Sequence, residues 1–175
     1  MITLHNLQFE PFIDQAEIKS RIAEMGHSLS NKYIGKEPVF VIVMKGAFMF
    51  AADLLQQFHG NCTLHFTKVQ SYVGTKAGEI TQFSGLPDGL EGKDVVIVED
   101  IIDSGNTVAF LLEQLKHVPL NSLFTIALLQ KDIPRNTFQS ADLIGFIIPD
   151  KFVVGYGLDY NELGRNLPAI YQAIT

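Results

Sequence analysis

Four short stretches, Val39–Met44 ("VFVIVM"), Val95–Val98 ("VVIV"), Leu123–Leu129 ("LFTIALL") and Leu143–Ile148 ("LIGFII"), are almost wholly apolar and do not alternate with polar residues. Runs of this length and composition predict strands covered on both faces, the pattern of a parallel sheet. Between them the period changes. Ile18, Ile22, Met25, Leu29 and Tyr33 recur at helical spacing behind Asp14 and Glu17, which resemble a capping box. "AFMFAADLLQQF" follows Lys45-Gly46 as a second helix, and Val108, Leu111, Leu112, Leu115 and Val118 form a third, stopped by Pro119. Leu64–Tyr72 partly alternates and predicts one more strand. Strands alternating with helices imply a doubly wound α/β fold with a mainly parallel sheet. A length of 175 residues, 47% of them apolar, suits a single domain over 1–175.

Composition removes several classes of function. The net charge of −6 and the lack of any basic run argue against nucleic acid as partner. A lone cysteine, Cys62, permits neither an intrachain disulfide nor a multi-thiol metal site, and the five histidines are scattered. No signal core or membrane-spanning run occurs, so the expectation is a cytoplasmic protein without membrane partners.

In such sheets a ligand lies beyond the carboxyl ends of the strands. There the sequence does something costly. Directly behind Val95–Val98 come Glu99, Asp100 and Asp103, then Ser104, Gly105, Asn106 and Thr107. Desolvating carboxylates costs several kcal/mol each unless they meet a cation or hydroxyl donors. The Asp103–Thr107 loop leads into a helix N-terminus, where free N–H groups and the helix dipole favour an anion. Ser104 and Thr107 are equally suited to capping that helix. A sugar phosphate satisfies both demands: its hydroxyls donate to the acids, its phosphate seats on the loop, and Mg²⁺ offsets the remaining charge. No GxxxxGK[ST] or complete dinucleotide fingerprint competes.

"VVIVEDIIDSGNT" closely resembles the phosphoribosyl pyrophosphate motif of the type I phosphoribosyltransferases. With "VFVIVMKGAFMFAADL", "QSYVG", "LLQK" and "IPDKFVVGYGLDYNELGRNLP" in order, the resemblance is to their hypoxanthine-guanine branch, from about Ile18 to Tyr171. It implies a parallel twisted sheet flanked by helices with a small hood of terminal segments. It also implies purine salvage: phosphoribosyl pyrophosphate and hypoxanthine or guanine give IMP or GMP and pyrophosphate. The family is dimeric or tetrameric.

Carried onto this chain, the resemblance assigns the ribose hydroxyls and an adjacent Mg²⁺ to Glu99 and Asp100. The 5′-phosphate falls to Ser104, Gly105, Asn106 and Thr107, and the purine N7 proton to Asp103. Lys45, Gly46 and Arg165 meet pyrophosphate, with Met44–Lys45 as a cis peptide, and Asp159 meets a second Mg²⁺. Lys131 donates to the 6-oxo group, Phe152 stacks on the base and Val153 offers backbone contacts to its edge. Ser71 and Tyr72 belong to a closing loop, Ser71–Gly85. From the residues alone, Phe152 and Val153 are core strand residues, Asp159 a turn aspartate and Arg165 a surface arginine. A nucleic-acid-binding regulator on the same fold needs a basic face, which the acidic balance does not supply. A xanthine or adenine transferase shares the same skeleton.

Overall fold

A computed structural model of the protein describes residues 1–71, 80–135, 138 and 140–174. Its elements are β1 (Ile2–Leu4), β2 (Leu7–Ile13), α1 (Gln15–Lys32), β3 (Val39–Met44), α2 (Phe48–Gln56), β4 (Thr63–Ser71) and β5 (Ile80–Phe83). These are followed by β6 (Asp94–Ile102), α3 (Asn106–Leu115), β7 (Ser122–Lys131), β8 (Leu143–Ile148), β9 (Val153–Val154) and β10 (Ile170–Ala173). Asp14 caps α1, its carboxylate accepting from the Glu17 N–H at 2.8 Å, as the capping signal predicts.

Two sheets form. The larger has the order β5-β4-β3-β6-β7-β8 and is parallel apart from the β4–β5 pair. The smaller, β1-β2-β10-β9, joins the two ends of the chain by antiparallel pairing and is the hood. The unbroken apolar runs have a direct physical reading. Successive residues of β3 and β6 face opposite sides, and both sides are covered. Phe40, Ile42, Val96 and Val98 pack with α1 and α2 through Ile18, Met25 and Leu54. Val39, Val41, Val95 and Ile97 pack with α3 through Leu111 and Leu115. Each such side chain removed from water contributes roughly 1.5–3 kcal/mol.

Two departures from the sequence reading matter for the site. β6 does not stop at Val98 but continues to Ile102, because β7 goes on pairing with it (Glu99↔Ala127, Ile101↔Leu129, Ile102↔Gln130). β3 leaves it earlier, at Ile42↔Val98. The Ser71–Gly85 stretch is not a continuous loop: Ile80–Phe83 pairs back onto β4, with Val69↔Phe83 in register. Residues 72–79, including Tyr72 and most of the expected closing loop, lie outside the described residues. No described helix is long and apolar enough to cross a membrane.

Candidate active site

Where β3 has left and β7 still supports it, the end of β6 carries the acids on alternate faces. Glu99 continues the Val95–Ile97 face and lines a cavity of about 60 Å³ formed with the Asp103–Thr107 loop. Asp100 continues the Val96–Val98 face and lines a neighbouring cavity of about 250 Å³. Asp103 and Ile101 border both.

Glu99 is buried, and its Oε2 meets no partner among the described residues. Burial, reinforced by the Asp100 charge, pushes its carboxyl well above the usual range. Burial also raises Asp100, to about 6, although the Ile101 N–H donates to its Oδ1 at 2.9 Å. The turn after β3 presses against this acid: a Cβ on Gly46 would stand 1.6 Å from Asp100 Oδ2. Only a residue without a side chain lets that backbone come so close. The preceding Met44–Lys45 bond is cis, as the resemblance implies.

Because the folded value of about 6 lies above the ordinary 3.8, the folded protein binds more protons than the unfolded chain between those two pH values. Stability contributed by this group therefore falls as pH rises through the window and stays lost above it. Asp100→Asn removes the charge. Its melting temperature at pH 7 is expected to lie roughly 2–4 °C above that of the parent, the shift for about 1 kcal/mol. The gain should shrink as pH falls from about 6 towards 4. Melting curves across that range check this, and a gain that grew at low pH would contradict it.

α3 opens without a side-chain cap. Its N-cap is Gly105 in the left-handed region (φ 81°), so Ser104 and Thr107 are not the capping residues that one reading of the sequence allowed. The Ser104 hydroxyl instead accepts weakly from the Asn106 N–H at 3.4 Å. Asn106 and Thr107 form the first helical residues and line the smaller cavity.

Across the larger cavity, Lys131 ends β7 with its ammonium held 2.9 Å from both Asp103 Oδ2 and Asp150 Oδ1. Burial alone would lower its pKa, but hydrogen bonds to the two carboxylates outweigh that and raise it. Phe152 and Val153 form the facing wall. Val153 is buried, as a strand residue should be, whereas Phe152 is 44% exposed, which core membership does not explain. Its ring leans on Phe9 of β2 and Tyr160, at centroid separations of 6.0 and 5.6 Å. Tyr156 fixes this wall to α2 by donating its hydroxyl to Asp53 at 2.5 Å.

The third group is cationic. Arg165 Nη2 lies 2.6 Å from Asp159, its Nη1 donates to the Gly157 carbonyl at 2.9 Å, and its Nε is buried without a partner among the described residues. It is not a free surface arginine. Lys45 pairs with Glu162 at 2.9 Å, and Glu162 also approaches Arg165 at 3.7 Å. Lys45, more than a hundred residues away in sequence, thus joins Asp159 and Arg165 in one cluster. It borders the Gly46 turn, since a Cβ on Gly157 would come 2.0 Å from the Gly46 carbonyl oxygen. Sequence reasoning missed Glu162, which sits in a left-handed turn (φ 68°) that no motif marks. It also missed Arg135, which donates to backbone carbonyls of Ile102, Asp103 and Lys131. Ser71 ends β4 along the same sheet edge.

No group of three or more His, Cys, Asp or Glu side chains able to hold a metal forms among the described residues. Mg²⁺, however, is characteristically held by one or two carboxylates plus substrate oxygens. The unpartnered Glu99 Oε2 and the elevated Asp100 fit that arrangement. Asp159 is committed differently, to Arg165 and to the Glu162 N–H at 2.7 Å.

Known proteins share this fold. Residues 13–161 match the family model described as the phosphoribosyl transferase domain. The chain is 39% identical over 160 residues to the hypoxanthine-guanine phosphoribosyltransferase of Bacillus subtilis, covering 90% of this chain and 89% of that one. It is 41% identical over 170 residues to the bifunctional protein TilS/HprT of Listeria innocua, where it covers 96% of itself but spans only 26% of the relative's length. A crystal structure of a hypoxanthine phosphoribosyltransferase from Staphylococcus aureus superposes with a TM-score of 0.88 at 39% identity, covering 96% of this chain and 92% of that one. The chain belongs to the phosphoribosyltransferase family.

Proposed function

We propose that the protein, acting as one phosphoribosyltransferase domain over 1–175, transfers the phosphoribosyl group of phosphoribosyl pyrophosphate to hypoxanthine and guanine. The products are IMP or GMP and pyrophosphate. The observation that carries this reading is the shared border of the two cavities. One is a phosphate-sized loop site with a helix N-terminus, the other a base-sized site with a buried ammonium, and Asp103 stands between them.

The Asp103–Thr107 loop takes the 5′-phosphate through its N–H groups and the Ser104 and Thr107 hydroxyls. Glu99 and Asp100 accept from the ribose hydroxyls, one from each side of β6. Phe152 stacks on the purine, Val153 meets its edge and Lys131 donates to the 6-oxo oxygen. As purine N9 bonds to ribose C1 and the bond to pyrophosphate breaks, Asp103 takes the N7 proton and pyrophosphate leaves towards Lys45, Gly46 and Arg165. Ser71 and Tyr72 cover the site and exclude water. Glu99 and Asp100 would hold a substrate-borne Mg²⁺ and Asp159 a second one, and such ions would neutralise charge on the departing pyrophosphate. A cytoplasmic homodimer or homotetramer completes the reading. Leu64 and Phe66, exposed side by side on the α2 face of the sheet, support a covered surface there.

The test is turnover with each purine in turn, with phosphoribosyl pyrophosphate and Mg²⁺. An ammonium has donors only, so it satisfies a 6-oxo oxygen and opposes the 6-amino group of adenine. Adenine is expected to be used at least ~10²-fold less efficiently than hypoxanthine or guanine, a loose bound for a site built round one buried hydrogen bond. Lys131→Gln should narrow the gap, because an amide offers donor or acceptor. Equal use of adenine by the parent protein would remove both the role of Lys131 and the choice of substrate.

A further inference from the structure

We infer that Arg135 is a positioning residue that ties the phosphate loop to the base-reading lysine, so that the two halves of the substrate are held in one fixed relation. This rests on the roles of Asp103 and Lys131 proposed above.

β6 and β7 pair as far as Ile102↔Gln130 and then diverge, β6 into the phosphate loop and β7 towards β8. Beyond that point no pairing among the described residues holds the two strand ends together. The Arg135 side chain enters the gap. Its Nε donates to the Asp103 carbonyl at 2.7 Å, and its Nη2 donates to the Ile102 carbonyl at 3.2 Å and to the Lys131 carbonyl. One planar guanidinium therefore serves as the next rung of the ladder, with one foot on each strand end. The residues it grips are the two whose side chains meet across the cavity, Asp103 and Lys131, 2.9 Å apart. Phe138 and the Arg135 side chain also press on the loop. A Cβ on Gly105 would lie 3.0 Å from Phe138 and 3.5 Å from Arg135 Cδ. A movement of the phosphate loop is thus passed directly to the base site.

The guanidinium fork is what the geometry uses. A lysine keeps the charge but, as a single compact ammonium, cannot span three carbonyls on two chains. Arg135→Lys and Arg135→Gln are therefore both expected to lower kcat/KM for hypoxanthine by roughly 10²-fold, the scale of a misplaced reacting group. KM for phosphoribosyl pyrophosphate should stay within about threefold, since Arg135 takes no part in holding the phosphate on this view. The decisive measurement is a double-mutant cycle with Lys131→Gln, accompanied by melting curves. If Arg135 acts through Lys131, its substitution costs much less in the Lys131→Gln background, and the single variants lose discrimination against adenine. Additive losses, a loss confined to KM for phosphoribosyl pyrophosphate, a loss restored by lysine, or one explained by a lowered melting temperature would each overturn the inference. The base-site reading fails separately: in that case Lys131→Gln alone leaves discrimination unchanged.

Discussion

Asp103→Asn is expected to lower kcat with hypoxanthine by roughly 10²–10⁴-fold, the usual worth of a positioned general acid or base. Binding of phosphoribosyl pyrophosphate should persist, because the loop N–H groups and hydroxyls proposed to hold the phosphate are left in place by the change. The amide oxygen of asparagine can still accept from Lys131, so the 2.9 Å contact across the cavity need not be lost. What is lost is the ability to take a proton. The change therefore separates holding from proton transfer, and the loss should fall on kcat and kcat/KM together. Steady-state kinetics paired with calorimetric titration of phosphoribosyl pyrophosphate measure both halves. A near-normal kcat removes Asp103 from the proton-transfer role, and loss of binding reassigns it to the phosphate site.

Chelation of divalent metal is expected to abolish turnover, and Mg²⁺ to restore it. The reason lies in the like charges. Glu99 and Asp100 are already destabilised as anions by burial, Glu99 further by the Asp100 charge and Asp100 by that of Asp159. Bringing a pyrophosphate ester to this edge without a counter-ion sets several negative charges against three carboxylates. Lys45 and Arg165 offset only part of that, since each is already paired with Glu162 or Asp159. Binding of phosphoribosyl pyrophosphate in chelator, followed by calorimetry, should weaken in step with activity. Full turnover in chelator would contradict the proposed charge balance.

The sheet was legible because its strands are buried on both faces and so carry unbroken apolar runs. The hood was not, except through the resemblance. Leu7–Ile13 holds Pro11 and two glutamate or glutamine positions facing solvent, and Ile170–Ala173 is only four residues long. Such strands exist because a distant segment pairs with them, and no local pattern encodes a distant partner. The same limit explains the site. Glu99, Asp100 and the Ser104–Thr107 loop announce themselves by clashing with what precedes them. Glu162 acquires meaning from Lys45 and Arg135 from the Ile102 and Asp103 carbonyls, all distant in sequence; Arg165 does so from a left-handed turn that no motif marks, and Phe152 reads as core until its exposed ring is seen over the cavity.

The extension of β6 past β3 makes this strand a partition, with Glu99 serving one chamber and Asp100 the other. Such a partition has a parity. Moving β6 by a single residue along β7 would exchange the two faces all at once. Glu99 would then point into the larger cavity, and Asp100 would point at the Asp103–Thr107 loop and leave Gly46. Inserting or deleting one residue within Val95–Val98 would thus turn the site inside out while leaving the apolar run almost unchanged in composition. The β6–β7 register from Asp94↔Ser122 to Ile102↔Gln130 is therefore as much a determinant of chemistry as any side chain at its end.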